Sequence, residues 1–497
     1  MIFYVMQHTD PPRQFNNLPA CVLIMNSWDD YSTKSKFYLR FHGVDGRARD
    51  IGFVKILKLN TNTTISMIDN RSMETILHDH FDALEDDCIS LGQDMPFYEN
   101  LLSECGEVVA MEILTALRDI SWQPPLATPF EPTGPFRNSM LRANSAIKAR
   151  RFGQAIIRRQ PIVETFSFSY STTIPGAEEP TDTYINFDES DLVPGRMFGI
   201  IGHNAVGKTR YLSNLAKDLV QIGKISIDKI AEKNMKFKDQ RPIFNRVIAI
   251  SYSAFDKFTR PTSEQVSYVY CGIRDENGRV SERGLNESYN INLQRIRDCG
   301  RQQEWMEFMQ EVLGAQIPDL NDHMESELSP HALISESLSS LSSGQAFLVN
   351  FITSLIAWLE LNSLVLFDEP ETHLHPNAVA NLFNAFNRAL KKYESFAIIA
   401  THSPVVIQEI PSKRVLLFER NGNVTTADKL PIETFGQNIS ELTRHVFETS
   451  EISHYYKHVF DQLSRRKTFD EVMELFEDNL SLNAQSYLMT RYMDTQI

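Results

Sequence analysis

At 497 residues, with 42% apolar and 23% charged side chains, the chain has a soluble globular composition and is long enough for two or three domains that each bury a core. A formal charge of −15 excludes a surface that attracts nucleic acid everywhere and leaves room only for local basic patches. Five scattered cysteines, Cys21, Cys88, Cys105, Cys271 and Cys299, never fall at metal-ligand spacing and read as reduced thiols. The most apolar long run, residues 346–361, is interrupted by Asn350, Thr353, Ser354 and Glu360 and is shorter than the roughly 20 residues a membrane span needs. The first ten residues carry neither the basic region nor the cleavage site of a signal peptide, so the expected location is the cytoplasm, with no membrane partner.

Residues 1–125 read as a mixed α+β segment. Phe37 to His42 and Ile51 to Leu57 have strand composition, and Gly43 to Arg47 between them supplies hairpin chemistry. Helical spacing predicts helices over Met73 to Leu84 and over Phe97 to Ile120. The acids between Asp69 and Glu107, Asp86 and Asp87 among them, read as a solvated face. Residues 126–160 follow as a Pro-rich linker and a basic strip. No acid occurs from Pro132 to Val163, whereas Arg137, Arg142, Lys148, Arg150, Arg151, Arg158 and Arg159 do, which makes the strip a candidate docking surface for nucleic acid or an acidic partner. The competing reading is a helix whose arginines pair with acids elsewhere.

Strand-like stretches at Val163 to Tyr170 and Tyr184 to Phe187 lead into residues 161–435, expected to be an α/β nucleotide-binding head with a helical insertion at about 210–335. Its central motif is Gly202, His203, Asn204, Ala205, Val206, Gly207, Lys208, Thr209, which fits G, four residues, G-K-[ST], between the apolar run Met197 to Ile201 and a helix-like segment from Tyr211. A glycine-rich turn between a buried strand and a helix aims backbone N–H groups at an anion on the positive end of the helix dipole. Lys208 would reach the β- and γ-phosphates of ATP, and the Thr209 hydroxyl would complete a Mg²⁺ shell. Ala205 within the turn is tolerable if its backbone stays near helical values.

Further on, Leu341 is followed by Ser342, Ser343, Gly344 and Gln345 at the start of an amphipathic run. This is a second helix N-terminus suited to an anion. Ser363 to Pro370 reads as a buried strand ending in Asp368, placed to hold Mg²⁺, and Glu369, placed to polarise an attacking water. Ser395 to Pro404 gives another buried strand ending in His402, whose neutral imidazole could hydrogen-bond a γ-phosphate. Residues 436–497 read as helical.

Taken in this order, the motifs resemble those of ABC-type ATPases of the branch that includes SMC-like repair proteins and overcoming-lysogenization-type defence ATPases. Lys208 and Thr209 match the Walker A motif, residues 341–345 the signature, Asp368 and Glu369 the Walker B motif and its catalytic glutamate, and His402 the switch histidine. Glu371 to Pro376 matches the segment after Walker B in the defence group, so His373 and His375 read as part of a dimer-facing loop and not as metal ligands. The resemblance implies a P-loop ABC-type head that dimerises head to tail, with Ser342 and Gly344 acting on ATP held by the other copy. Ser251 to Asp256, Phe435 to Ile439 and Leu480 to Tyr487 are most similar to the ATPase subunit of Septu-type anti-phage systems, PtuA. That likeness implies a separate HNH nuclease subunit, PtuB-like, and a possible retron reverse transcriptase with its msDNA. No glutamine occupies the expected Q-loop position after Val247.

Three other readings are distinguishable. A self-contained TOPRIM nuclease requires an Asp-x-Asp pair, and none of Asp428, Asp461, Asp470, Asp478 and Asp494 are two apart. A structural SMC-like clamp requires long heptad coiled coils, absent between Arg210 and Ser340. A transporter ATPase would dock its membrane partner through the Q-loop region, which is atypical here.

Overall fold

The computed structural model describes residues 1–7, 15, 17–26, 30, 33–59, 73–74, 77–162, 164–187, 193–253, 256–261, 267–274, 282–313, 342–372, 374–447 and 455–494. Leu341, His373 and most of the stretch from Asp69 to Ile76 lie outside them, as do residues 314–340, which include the end of the expected insertion. The chain divides into two compact units, Met1–Ile439 and Ser440–Ile497.

The first unit begins with a sheet of β1 (Ile2–Met6), β2 (Ala20–Met25), β3 (Lys36–His42), β4 (Ala48–Lys58), β5 (His80–Phe81) and β6 (Cys88–Gly92), in the order β5-β1-β2-β3-β4-β6. Strand β3 turns Phe37, Leu39 and Phe41 to the core and leaves Lys36, Tyr38 and Arg40 on the other side, the period-two pattern of a sheet with one covered face. The expected hairpin joins β3 to β4, closed by Gly46 N–H donating to Gly43 O at 2.9 Å. Helices α1 (Met95–Cys105) and α2 (Glu107–Ala116) cover the core with Phe97, Leu101, Ile113 and Leu114.

Two expectations fail here. The helix expected over Met73 to Leu84 is replaced by the two-residue strands Met73–Glu74 and β5. Phe81 pairs with Phe3 of β1, their rings stacked 5.2 Å apart, so pairing across the sheet edge takes the apolar residues that a helix would have used. Residues 126–160 are no linker. Phe130, Phe136 and Met140 pack with Leu57, Ile89 and Leu91, and α3 (Asn144–Ile157) buries Ala149, Ile156 and Ile157 against the sheet.

Most of the basic strip is consumed internally. Arg142 and Lys55 both grip buried Asp30, at 2.6 and 2.5 Å, while Lys148 pairs with Glu164 and Arg150 with Glu131. Arg137 donates to the carbonyls of Glu131 and Pro132. Arg151, Arg158 and Arg159 are exposed, and Arg158 lies over the Trp122 ring. A continuous docking strip therefore does not form. Asn144, at the start of α3, fastens this half of the unit to the next: its side-chain N–H groups donate to Leu219 O and Phe244 O, and its backbone N–H donates to the Ser267 hydroxyl oxygen.

The second half of the unit opens with the antiparallel pair β7 (Phe168–Thr172) and β8 (Thr181–Ile185). Its main sheet comprises β9 (Met197–Ile201), β10 (Val247–Ser251), β11 (Tyr268–Gly272), β12 (Leu364–Asp368), β13 (Phe396–Thr401), β14 (Val415–Asn421) and β15 (Val424–Lys429), in the order β11-β10-β12-β13-β9-β14-β15. All neighbours are parallel except β14 and β15. Every residue of β9, β10, β12 and β13 is buried, as a parallel sheet covered on both faces requires. One face sets Phe198, Ile200, Leu366 and Ile398 with Leu212 and Leu215 of α4 (Lys208–Leu219). Helix α5 (Ile227–Met235) follows with no buried residue. Of the insertion, α6 (Glu282–Asp298) and α7 (Gln302–Leu313) pack on α8 (Ser343–Trp358), where Trp305 Nε1 donates to Thr353 Oγ1 at 2.9 Å. On the other face of the sheet, Phe367 stacks 4.7 Å from Phe351 of α8 and meets Phe386 of α9 (Pro376–Lys392) edge on.

Helix α10 (Ile439–Phe447) starts at the boundary and lies almost wholly in the second unit. There α11 (Tyr455–Ser464), α12 (Phe469–Leu475) and α13 (Leu482–Asp494) meet at Phe460, Val472 and Leu488. The described residues after Lys429 hold helices and no strand. Among the described residues no helix is long and apolar enough to cross a membrane.

Candidate active site

Ligands of open parallel sheets gather beyond the carboxyl ends of the strands. Here β9, β13 and β12 lie side by side, so the segments leaving their carboxyl ends meet in one place. The loop after β9 runs through residues 202–207, and α4 begins at Lys208. Gly202 and Gly207 have φ of 158° and 103°. A Cβ at Gly202 would sit 2.3 Å from Phe418 O, and one at Gly207 2.4 Å from the Ile174 side chain, so the loop's path requires both glycines. His203, Asn204 and Ala205 are exposed, and buried Val206 anchors the loop in the core. Ala205 departs from expectation: its φ is +69°, in the left-handed region and not near helical values. A side chain in that conformation costs about 1–2 kcal/mol, so the loop holds a shape that a glycine would adopt freely.

Lys208 is buried and folds back on its own loop, its Nζ donating to Gly202 O at 2.7 Å and His203 O at 3.0 Å. Burial lowers its pKa, opposed by the carboxylates of Glu369, Asp368 and Glu371. Thr209 Oγ1 donates to Asp368 Oδ1 at 3.0 Å, joining the helix start to the end of β12. Asp368 is 1% exposed and its Oδ2 has no hydrogen-bond partner. Burial pushes its pKa up to about 7, the Thr209 hydroxyl opposes this, and the charges of Glu369 and Asp256 add to it.

Glu369 adopts φ of +52°, a strained turn away from the strand, while its N–H still donates to Ala400 O at 2.8 Å and so extends the β12–β13 ladder by one bond. That bond sets Glu369 beside His402, the residue just after β13. His402 Nδ1 lies 3.6 Å from Glu369 Oε1 and 3.2 Å from Glu371 Oε1. Contact with Glu369 is the main reason the imidazole pKa rises; partial burial opposes it and the Glu371 charge adds to it. The same contact holds Glu369 below the usual carboxylate range. In place of the neutral imidazole expected from the sequence, the pair of carboxylates shifts His402 toward the imidazolium. Sequence reasoning also passed over Glu371 as a contact of this site; an acid directly after the Glu-Pro turn was the available signal.

The second helix start stands apart in character. Ser342 caps α8, its Oγ accepting Gln345 N–H at 3.3 Å while Gln345 Oε1 accepts Ser342 N–H at 3.0 Å. This is a reciprocal capping box with Ser342 exposed. Ser343 and Gly344 form the first helical turn. His375 is the N-cap of α9, its Nδ1 accepting Asn377 N–H at 3.4 Å. At the Q-loop position, Ser251 is in register with Asp368, Tyr252 packs 4.4 Å from Phe347 of α8, and Asp256 is held by Arg260 and the Tyr270 hydroxyl.

The residues fit a magnesium nucleotide. Asp368 Oδ2 is a buried, unpartnered oxygen beside the Thr209 hydroxyl, two hard donors of the kind Mg²⁺ takes, and the Cβ-free cradle of Gly202 and Gly207 precedes a helix N-terminus suited to phosphate.

Residues 269–408 match a family model described as "AAA domain, putative AbiEii toxin, Type IV TA system". That stretch includes Ser342 to Gln345, Asp368, Glu369 and His402 and begins after the 202–209 loop. Protein ea59 of Escherichia phage lambda is 25% identical over 514 residues, covering 94% of this chain and 94% of its own. Similar solved structures include an ATP-binding cassette of an ABC transporter in its ADP conformation, at 14% identity and TM-score 0.30 over 57% of this chain and 96% of that one. An SMC head bound to a winged-helix domain of ScpA is 10% identical, with TM-score 0.30 over 54% and 98%. The RNase-L Inhibitor is 15% identical, with TM-score 0.27 over 54% of this chain and 40% of that one. The strand order and the 202–209 loop give the second half of the first unit an α/β fold with a mainly parallel sheet, a glycine-flanked turn at the carboxyl end of β9, and a stretch that matches that domain model.

Proposed function

We propose that the chain binds and hydrolyses ATP with Mg²⁺ in an ABC-type head that works as a head-to-tail homodimer. The observation that carries this reading is that Lys208, Thr209, Asp368, Glu369 and His402 gather at the carboxyl ends of neighbouring strands, with Thr209 on Asp368, Glu369 beside His402, and Asp368 Oδ2 buried and unpartnered. Backbone N–H groups of residues 202–209 and Lys208, released from its loop carbonyls, would bind the phosphates. Thr209 and Asp368 would hold Mg²⁺, which supplies charge neutralisation at the phosphates when bound. Glu369 orients the attacking water and takes its proton, and His402 holds a proton toward the transferred phosphoryl group. Ser342 to Gln345 of a second copy would close on the nucleotide with the positive end of α8.

The test is ATP turnover and fluorescent-ATP binding by the purified protein. Turnover that requires Mg²⁺, together with loss of binding in Lys208→Ala, is expected; turnover persisting in that variant would move the active site elsewhere.

The finer reading is that ATP occupancy of the paired heads controls a separate HNH-type nuclease subunit in anti-phage defence, with or without a retron reverse transcriptase and its msDNA. It is supported by the likeness of residues 251–256, 435–439 and 480–487 to Septu-type ATPases. The description of the matched family as a toxin of a toxin–antitoxin system supports an effector-linked role. Co-expression with the neighbouring genes should yield a stable complex with such a nuclease; ATP-dependent DNA cleavage by the chain alone would favour direct action on DNA.

A further inference from the structure

Three features outside the assigned roles stand out. Glu85, Asp87 and Cys88 gather within metal-ligand reach of one another, but Lys58 pairs with both acids and no other feature points to an ion. In the second unit, Leu482, Met489 and Met493 expose one stripe of α13, with nothing to indicate what would cover it. The third is Glu371, an acid that sits inside the proposed site.

Glu371 Oε1 accepts the Thr401 hydroxyl at 2.7 Å and the His402 backbone N–H at 3.0 Å, and it lies 3.2 Å from His402 Nδ1. A single carboxylate oxygen thus holds the end of β13 and the His402 backbone, and lies within ion-pair distance of the His402 ring. The side chain is 12% exposed, and its other oxygen, Oε2, is buried without a hydrogen-bond partner. Glu371 itself is fixed by the turn after β12, in which Thr372 N–H donates to Glu369 O and Leu374 N–H to Glu371 O, both at 3.1 Å.

His402 therefore stands between two carboxylates with opposite requirements. Glu369 must be able to take the proton of the attacking water, and a close ion pair with His402 would make its carboxylate a weaker base. Glu371 is the nearer of the two and is anchored to the histidine's own backbone, so it can hold the imidazole while leaving Glu369 at 3.6 Å. We propose that Glu371 is the positioning residue for His402, clamping the Thr401–His402 segment and drawing the ring away from the general base. It acts through His402.

This inference rests on the ATPase reading, and the experiment separates the two. Steady-state hydrolysis is measured for wild type, Glu371→Ala, Glu371→Gln, His402→Ala and the Glu371→Ala/His402→Ala double variant, with Glu369→Gln as control. Glu371→Ala should lower kcat by roughly 10- to 100-fold with KM for ATP within about twofold of wild type, since only the orientation of a group acting after binding is lost. In the His402→Ala background the same substitution should lower kcat by less than about threefold, because the residues act as a unit. Glu371→Gln keeps an acceptor oxygen for Thr401 and the His402 N–H and should recover at least about a third of the lost turnover on a logarithmic scale. Wild-type kcat in Glu371→Ala, a loss of equal size without His402, or a rise in KM alone would overturn the clamp. Should wild type fail to turn over ATP, the ATPase reading itself would fall; unchanged turnover in Glu369→Gln would instead remove Glu369 as the base and overturn the clamp with it.

Discussion

The two helix starts that frame the proposed chemistry are built in opposite ways. At α4 the first residue, Lys208, is buried, held by its own loop, and faced by Asp368, Glu369 and Glu371. At α8, Ser342 is exposed and its capping box is closed without any charged group. Both present the positive end of a helix dipole, but the first has a cation, a hydroxyl and carboxylates beside it, and the second has only amides and hydroxyls. Each thus holds what the other lacks, and under the proposed function one chain supplies half of a working site.

Substitutions at each start should separate their contributions. Glu369→Gln removes the base and should slow hydrolysis by roughly 10² to 10⁴ while leaving ATP affinity intact, which single-turnover kinetics would check. Gly344→Asp sets a negative charge on the first turn of α8 and should reduce turnover by about 10- to 100-fold, with nucleotide binding to the same chain unchanged. Equal loss of binding would mean that α8 does not act across copies.

A smaller effect concerns stability without metal. Folded Asp368 keeps its proton up to about pH 7, whereas the ordinary carboxyl loses it near 3.8. The folded state then binds more protons between those values, so this group's contribution is full at low pH and declines as pH rises to about 7. Denaturation of wild type and Asp368→Asn with EDTA at about pH 5 and about pH 8 should show the wild type losing stability relative to the variant at the higher pH; parallel changes would contradict the burial-driven shift. Smallest is Ala205→Gly, which should relieve the left-handed strain and raise stability by up to about 1 kcal/mol, the gain limited by the entropy of an added glycine. A lower melting temperature in that variant would remove strain from the description of the loop.

Much of the site was legible because its parts depend on local backbone chemistry. A glycine-flanked turn before a helix, carboxylates at one strand end and a histidine at another are each encoded within a short stretch of chain, and the parallel strand order then brings them together. Less legible was whatever depends on partners distant in sequence. For the basic residues after Pro132, docking and internal pairing both stayed open because Asp30, which takes Arg142, lies far back near the start of the chain, and the Pro-rich stretch looked like a linker because its contacts to Leu57 and Leu91 are also remote in sequence. The apolar spacing after Met73 was ambiguous until Phe81 met Phe3. Glu371 was hidden differently: its neighbours in sequence have roles of their own, and its partners Thr401 and His402 sit at the end of another strand.

The claim that two copies complete each other can be measured by mixing Lys208→Ala, which lacks a working phosphate loop, with Gly344→Asp, which lacks a working second helix start. A heterodimer of the two contains one site with both parts intact, so each variant should be nearly inactive alone and an equimolar mixture should recover about a quarter of wild-type turnover. A mixture no more active than its components, or full activity of Gly344→Asp by itself, would show that ATP is hydrolysed without a contribution from the partner's α8.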